Sequence, residues 1–332
     1  MNFQTRTNVR WIAPLLFALT LALSACTVQL PAAPTTTEGA AATGSAPAAD
    51  AVGDTVTVTH AQGETTVARN PETVVVFDYS VLDTLDQLGV KVAATPQETL
   101  PPFLAKYKGE EYANAGTLFE PDYELINQLQ PDLIIVAGRS AAVYADLAEI
   151  APTIDLTIDQ ANFLESFKHS VTILGELFGH EDEVANRLTA IDAAVARVQE
   201  KAAASGETAL IVLTTGGDVT AYGPGSRFGI IHDLLGVTPV VPDIEAATHG
   251  DAISFEFILE HDPDILFVID RDSAIGQGTE AAEQVMDNEL MHTTKAWVND
   301  KIFYLNSANW YLASTGLSTF ASMIAEVEGA LE

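Results

Sequence analysis

Short apolar runs alternate with amphipathic stretches along most of this chain. Val74–Phe77, Leu133–Val136, Ala209–Leu213 and Ile265–Ile269 are β-prone runs, all four without a charge. Charge-free strands suit a sheet covered on both faces by helices. Val81–Leu88 and Asp122–Gln130 instead carry apolar residues at helical spacing. The alternation predicts an α/β fold. Asn162 to Ala204 reads as helix for most of its length, with a break at Gly179-His180. Glu181-Asp182-Glu183 then place acids where a helix N-terminus favours them, and no Gly or Pro follows before Ala204. At 1.5 Å per residue this is a rod of about 35 Å, a stiff joint that predicts limited opening and closing.

Two segments match at one offset. Glu124, Pro131, Asp132 and Arg139 recur 132 positions later as Glu256, Pro263, Asp264 and Arg271. Each copy reads as a helix carrying Glu, a Pro-Asp turn, a buried strand, and an Arg just past the strand. The turn alone is common in α/β proteins, but four matches at one spacing predict two related lobes.

The first residues differ in kind. Arg6 and Arg10 precede an apolar run, Trp11 to Leu23, that is too short for a comfortable transmembrane helix and suits a signal peptide. It ends in Leu23-Ser24-Ala25-Cys26, which resembles the lipobox of bacterial lipoproteins and implies lipid attachment at Cys26, the chain's only cysteine. The alternative is a buried cysteine in an ordinary anchor helix. Residues 27 to 53 are rich in Ala, Thr, Pro and Gly and read as a tether. The expected organisation is therefore 1–25 signal peptide, 26–53 lipidated Cys and tether, 54–160 N-terminal lobe, 161–205 helical connection, and 206–332 C-terminal lobe. This places the folded part outside the cytoplasm.

With 46 acidic against 15 basic residues in 332, the net charge is −31, and losing the two signal-peptide arginines takes it to −33. Nucleic acid is excluded as a partner, since no basic face is visible. Against that background the six arginines after the signal stand out. Arg187 and Arg197 belong to the connecting helix. Arg139, Arg227 and Arg271 fall on loops beyond strand ends, where open α/β sheets bind ligands. Any one alone could equally be a structural ion pair. Together they predict a focused positive site for a polyanionic ligand. Thr248-His249-Gly250 and Trp310-Tyr311 also lie on loops, and each could equally be surface or packing residues. An imidazole and a phenolate are nonetheless suitable donors for a hard ferric ion.

The folded region resembles the helical-backbone substrate-binding proteins of ATP-driven iron–siderophore importers. More narrowly, it resembles the branch that binds ferric catecholates of the enterobactin and petrobactin type. The motifs are Pro131–Arg139, Ala221-Tyr-Gly-Pro-Gly-Ser-Arg227-Phe-Gly, Thr248-His249-Gly250, Ser254-Phe-Glu256, Phe267–Arg271 and Trp310-Tyr311-Leu-Ala-Ser. The resemblance implies two Rossmann-like lobes joined by one long helix, with the ligand cleft between them. It implies that Arg139, Arg227 and Arg271 contact catecholate oxygens and that Trp310 and Tyr222 belong to the aromatic wall. His249 and Tyr311 take the positions that ligate Fe(III) when the siderophore leaves coordination sites open. Glu124 and Glu256 match the acids that dock on the permease, although both could be ordinary solvated carboxylates. The expected protein is a monomeric, lipid-anchored, non-catalytic carrier with no intrinsic cofactor, serving a permease and its ATPase.

Other cargoes on the same fold are haem, cobalamin and ferric hydroxamates. A secreted hydrolase needs a nucleophile elbow, and Ser226 lacks the second Gly at the required spacing. A zinc or manganese carrier needs clustered ligands, whereas the seven histidines are scattered.

Overall fold

The computed structural model describes residues 54–244, 250–277 and 281–332. The expected signal peptide, tether, Cys26 and His249 lie outside the described residues.

Chain entry is a hairpin, Thr55–His60 paired antiparallel with Gly63–Ala68. It leans on the edge of the first sheet: the Ala61 amide and the Gln62 side chain each donate to Asp155 at 3.0 Å. That sheet has five strands, all parallel, in the order Ala113–Asn114, Ala94–Thr95, Val74–Val76, Leu133–Val136, Thr153–Asp155. Every residue of the two central strands is buried, as an uncharged Val/Ile run under helices on both faces requires.

The second sheet has six strands and is mixed. The order Asp251–Ile253, Asp218–Tyr222, Thr208–Thr215, Ile265–Asp270, Ile302–Tyr304 forms its path, with Thr238–Pro239 added beside Thr208. Its first two strands pair antiparallel to their neighbours, and its last two run parallel.

The repeat is structural. The helices Tyr123–Leu129 and Phe255–His261 have equal length, start after side-chain caps at Asp122 and Ser254, and end in left-handed residues, Gln130 and Asp262. Pro then blocks continuation of either helix. The Asp of each Pro-Asp turn ties down the segment entering the next strand: Asp132 accepts the amides of Glu72 and Thr73 at 3.0 and 2.8 Å. Asp264 accepts the amide and hydroxyl of Thr208, both at 2.9 Å.

Two helices, Phe163–Phe178 and Glu181–Ser205, follow the first sheet, with left-handed Gly179 closing the former. The second has 25 residues, about 37 Å of rod, and leads into the second sheet. A further link comes from the last helix, Leu317–Ala330. Three side chains on one face of helix Tyr79–Gln87 receive the free amides at its start. Ser80 accepts the Thr315 amide and Thr84 the Leu317 amide, at 3.2 and 3.1 Å. Buried Asp83 accepts Ser318 N–H at 2.8 Å, the Ser318 hydroxyl at 2.5 Å and Thr319 N–H at 3.2 Å. At its other end, Glu328 pairs with Arg197 and Lys201 of the long helix, each at 3.3 Å. Phe320 packs between, with ring centroids 5.3 and 4.7 Å from Phe163 and Phe167. The last helix thus fastens the first lobe's helix to the long helix. Among the described residues no helix is long and apolar enough to cross a membrane.

Candidate ligand-binding site

Each sheet delivers one arginine from the carboxyl end of a strand. Arg139 lies in the short 3₁₀ segment Gly138–Val143 after Leu133–Val136. Gly138 has φ +52, which favours Gly, and its amide donates to the Thr157 hydroxyl at 2.8 Å. The Ser140 hydroxyl closes the turn on Ala137, accepting its amide and donating to its carbonyl, both at 3.1 Å. Arg271 opens the short helix Arg271–Ala274, which Asp270 caps by accepting the Ser273 amide at 2.8 Å.

Arg227 arrives on the Gly-Pro-Gly-Ser loop. The Asp233 carboxylate accepts the Gly225 amide at 2.6 Å, and the Ser226 hydroxyl donates to the Gly223 carbonyl at 2.6 Å. Gly225 sits at φ +74, and a Cβ on Gly229 would stand 2.7 Å from Asp233. These glycines let the loop fold tightly enough to turn Arg227 inward. Ser226 is buried and committed to this turn, so it offers no free nucleophile.

All three guanidinium groups converge on Tyr311. Arg139 and Arg227 donate to its carbonyl at 2.5 and 3.0 Å, and Arg271 Nε donates to its hydroxyl at 3.1 Å. Their carbon centres stand 5.1, 4.5 and 5.8 Å from the centre of its ring. Arg271 also meets Asp272 at 3.5 Å. Among the described residues Arg139 and Arg227 form no ion pair with a carboxylate. Burial and the charge of Arg139 push Arg227 below the usual arginine value. Burial alone would raise the Tyr311 phenol. The Arg271 hydrogen bond and the charges of Arg227, Arg271 and Arg139 outweigh it, so the net shift is downward. The site therefore favours negative charge on an aromatic oxygen.

Of the two residues expected in the ligand wall, Trp310 points away from it and Tyr222 lies buried close to Arg227 and Tyr311. Trp310 is 0% exposed, and its indole N–H donates to Glu326 at 3.0 Å. The two adjacent aromatics are successive residues of a π-helical turn, Ala308–Leu312, and point to different sides. Tyr222 is also buried, edge-on to Phe228 at 4.7 Å and under Gly250, where a Cβ would come within 2.8 Å of its ring. Phe228 instead stacks on Arg227, 4.7 Å away. Sequence reasoning missed Asp78, whose place before a helix start marks it as a cap. It accepts the amides of Ser80 and Val81 at 2.8 and 3.0 Å, and burial raises its carboxyl despite the opposing charge of Arg139.

Glu124 and Glu256 are both exposed in the first turns of the twin helices. A cavity of about 590 Å³ flanks Arg271, lined by Pro102 from the first lobe and by Asp270, Ser273, Tyr304 and Ser307 from the second. Among the described residues no cluster of three or more His, Cys, Asp or Glu is placed to hold a bare metal ion.

Two α/β lobes on a helical joint, with three unpaired or weakly paired guanidinium groups meeting at Tyr311, have the architecture of a two-lobed solute-binding protein. The periplasmic binding protein family matches residues 74–308, and the chain belongs to that family. It is 42% identical over 281 residues to the petrobactin-binding protein YclQ of Bacillus subtilis, covering 83% of this chain and 88% of that one. The crystal structure of YclQ superposes with a TM-score of 0.81 over 84% of this chain and 99% of that chain. The ferric-anguibactin-binding protein FatB of Vibrio anguillarum is 34% identical over 278 residues, 82% of this chain and 86% of its own. The periplasmic catecholate-siderophore binding protein VctP of Vibrio cholerae gives a TM-score of 0.79 at 35% identity, covering 83% and 100%.

Proposed function

We propose that this protein captures a ferric catecholate siderophore outside the cytoplasm and hands it to the permease of an ATP-driven importer. Arg139, Arg227 and Arg271 would bind the catecholate oxygens. Tyr311 and His249 would complete the iron's coordination when the siderophore supplies only four donors. Glu124 and Glu256 would dock on the permease, and a lipid on Cys26 would hold the monomer at the membrane.

One observation carries the reading: half of the six arginines after the signal gather about a single phenol. Catecholates are doubly negative, so their Fe(III) complexes remain anionic, and guanidinium forks recognise paired oxygens. The phenol of Tyr311 already shows how an aromatic oxygen sits against Arg271. The names of YclQ and VctP support the same class of ligand.

Calorimetric titration of residues 27–332 with a ferric bis-catecholate, and separately with a ferric hydroxamate, tests it. Saturable binding of the first alone is expected. Equal affinity for both, or none for the catecholate in a folded protein, would overturn it.

A further inference from the structure

Tyr311 reaches the three arginines only because the turn carrying it is held in an uncommon winding. A single carboxylate oxygen ties the entry to that turn to its central residue. Glu326 Oε2 accepts the Asn306 amide at 3.0 Å and the Trp310 indole N–H at 3.0 Å. Within the same stretch the Trp310 amide donates to the Asn306 carbonyl at 3.1 Å, and the Asn309 amide to the Asn306 side chain at 3.1 Å. Glu326 belongs to the last helix, and its other oxygen is reached by the Ser322 hydroxyl at 3.5 Å.

We infer that Glu326 is the positioning residue of the ligand site: it clamps the 306–310 turn so that the carbonyl and phenol of Tyr311 face Arg139, Arg227 and Arg271. The inference rests on the site proposed above. The indole of Trp310 is fully buried and cannot rotate away without opening the core. Its N–H, aimed at Glu326, sets which way the next residue points. A charge-assisted bond shared between a backbone amide and an indole fixes both the start of the turn and its central residue. Loss of that oxygen leaves the Trp310 N–H unpaired inside the protein, and relieving it requires the turn to rewind. Tyr311 then moves, while Arg227 and Arg271, seated on other segments, stay.

The test compares Glu326→Leu, Glu326→Gln and Trp310→Phe in residues 27–332. Glutamine keeps an oxygen that can accept both donors. Leucine removes the acceptor, and phenylalanine removes the indole donor together with one ring. In ligand-free protein labelled with ¹³C at tyrosine Cζ, Tyr311 is assigned by its loss in Tyr311→Phe. Its signal should move to the position of an exposed tyrosine in Glu326→Leu, move partway in Trp310→Phe, and stay put in Glu326→Gln. Affinity should fall tenfold or more for a ferric bis-catecholate in Glu326→Leu, and less than threefold for a hexadentate ferric tris-catecholate. An unmoved Tyr311 signal in Glu326→Leu would overturn the inference, as would equal losses for both complexes. Tyr311→Phe serves as the separate control. If it binds both complexes as the parent does, the ligation reading fails, while the NMR result still decides the role of Glu326.

Discussion

Replacing Arg227 with Met separates a binding arginine from a structural one. Met keeps an apolar stem beside Phe228 and removes only the charge and its donors. In the empty protein Arg139 and Arg227 share one acceptor, so their donor nitrogens are at most about 5.5 Å apart. At an effective dielectric of about 20, two charges at that distance repel by about 3 kcal/mol. Opposing this are a charged hydrogen bond to the Tyr311 carbonyl, worth about 1.5–3 kcal/mol, and stacking on Phe228 and Tyr311, worth about 0.5–2 kcal/mol. These nearly cancel. The ligand-free Arg227→Met protein should therefore unfold within about 1 kcal/mol of the parent, a shift of about 2–4 °C or less. Binding behaves differently, because the ligand's oxyanions lose a charge-assisted partner worth about 1.5–3 kcal/mol, or about 10- to 150-fold in Kd. Thermal unfolding by calorimetry, paired with titration of a ferric bis-catecholate, measures both. A stability loss of about 3–5 kcal/mol would mark a broken buried ion pair and refute the reasoning. So would unchanged affinity.

Three further outcomes follow from other parts of the molecule. Burial raises the Asp83 carboxyl, so the folded chain holds that proton more tightly than the unfolded one, and the contribution of Asp83 to stability falls as pH rises from about 4. Denaturant unfolding of Asp83→Asn should accordingly improve relative to the parent between pH 4 and 7; a relative decline contradicts this. Double replacement of Glu124 and Glu256 with Ala should leave ligand affinity within twofold, since both are exposed on the twin helices. Uptake of radiolabelled iron in cells should drop severalfold, and a loss of affinity would remove them from docking. Replacing His249 with Ala and Tyr311 with Phe should weaken a tetradentate ferric complex about tenfold or more, the scale of one or two lost charge-assisted contacts, and largely spare a hexadentate one. Equal losses in a competition assay would rule out direct ligation.

The fold was legible wherever burial is written into local pattern. Leu133–Val136 forms a strand with the bounds its charge-free run predicts, and Ile265–Ile269 is extended only by Asp270. The break at Gly179-His180 and the long helix after it follow from the caps and acids there. Asp122 and Gln130, included in the expected helix, are its cap residues. The opening hairpin went unread although its Thr/Val alternation carries the period of a strand. In the site, three arginines at strand ends were legible because the chain holds so few basic residues. The facing of Trp310 and Tyr311 was not. A π-helical turn changes the angular step between neighbours, and the acceptor that enforces it, Glu326, lies sixteen residues on in another helix. Likewise Asp83 looks like an ordinary helix carboxylate until the last helix returns to it over a separation of 235 residues.

That returning helix also bears on traffic. Because Ser80, Asp83 and Thr84 grip one end of it while Arg197 and Lys201 grip the other, these contacts would resist a change in the separation of Glu124 and Glu256 as the cleft fills. A permease that reads those two carboxylates meets nearly the same footprint on an empty carrier as on a loaded one. On the proposed docking, unloaded copies would compete at the transporter, and added carrier beyond a certain abundance would slow import instead of speeding it. The ratio of carriers to permeases, as much as affinity for iron, becomes the quantity the cell must regulate.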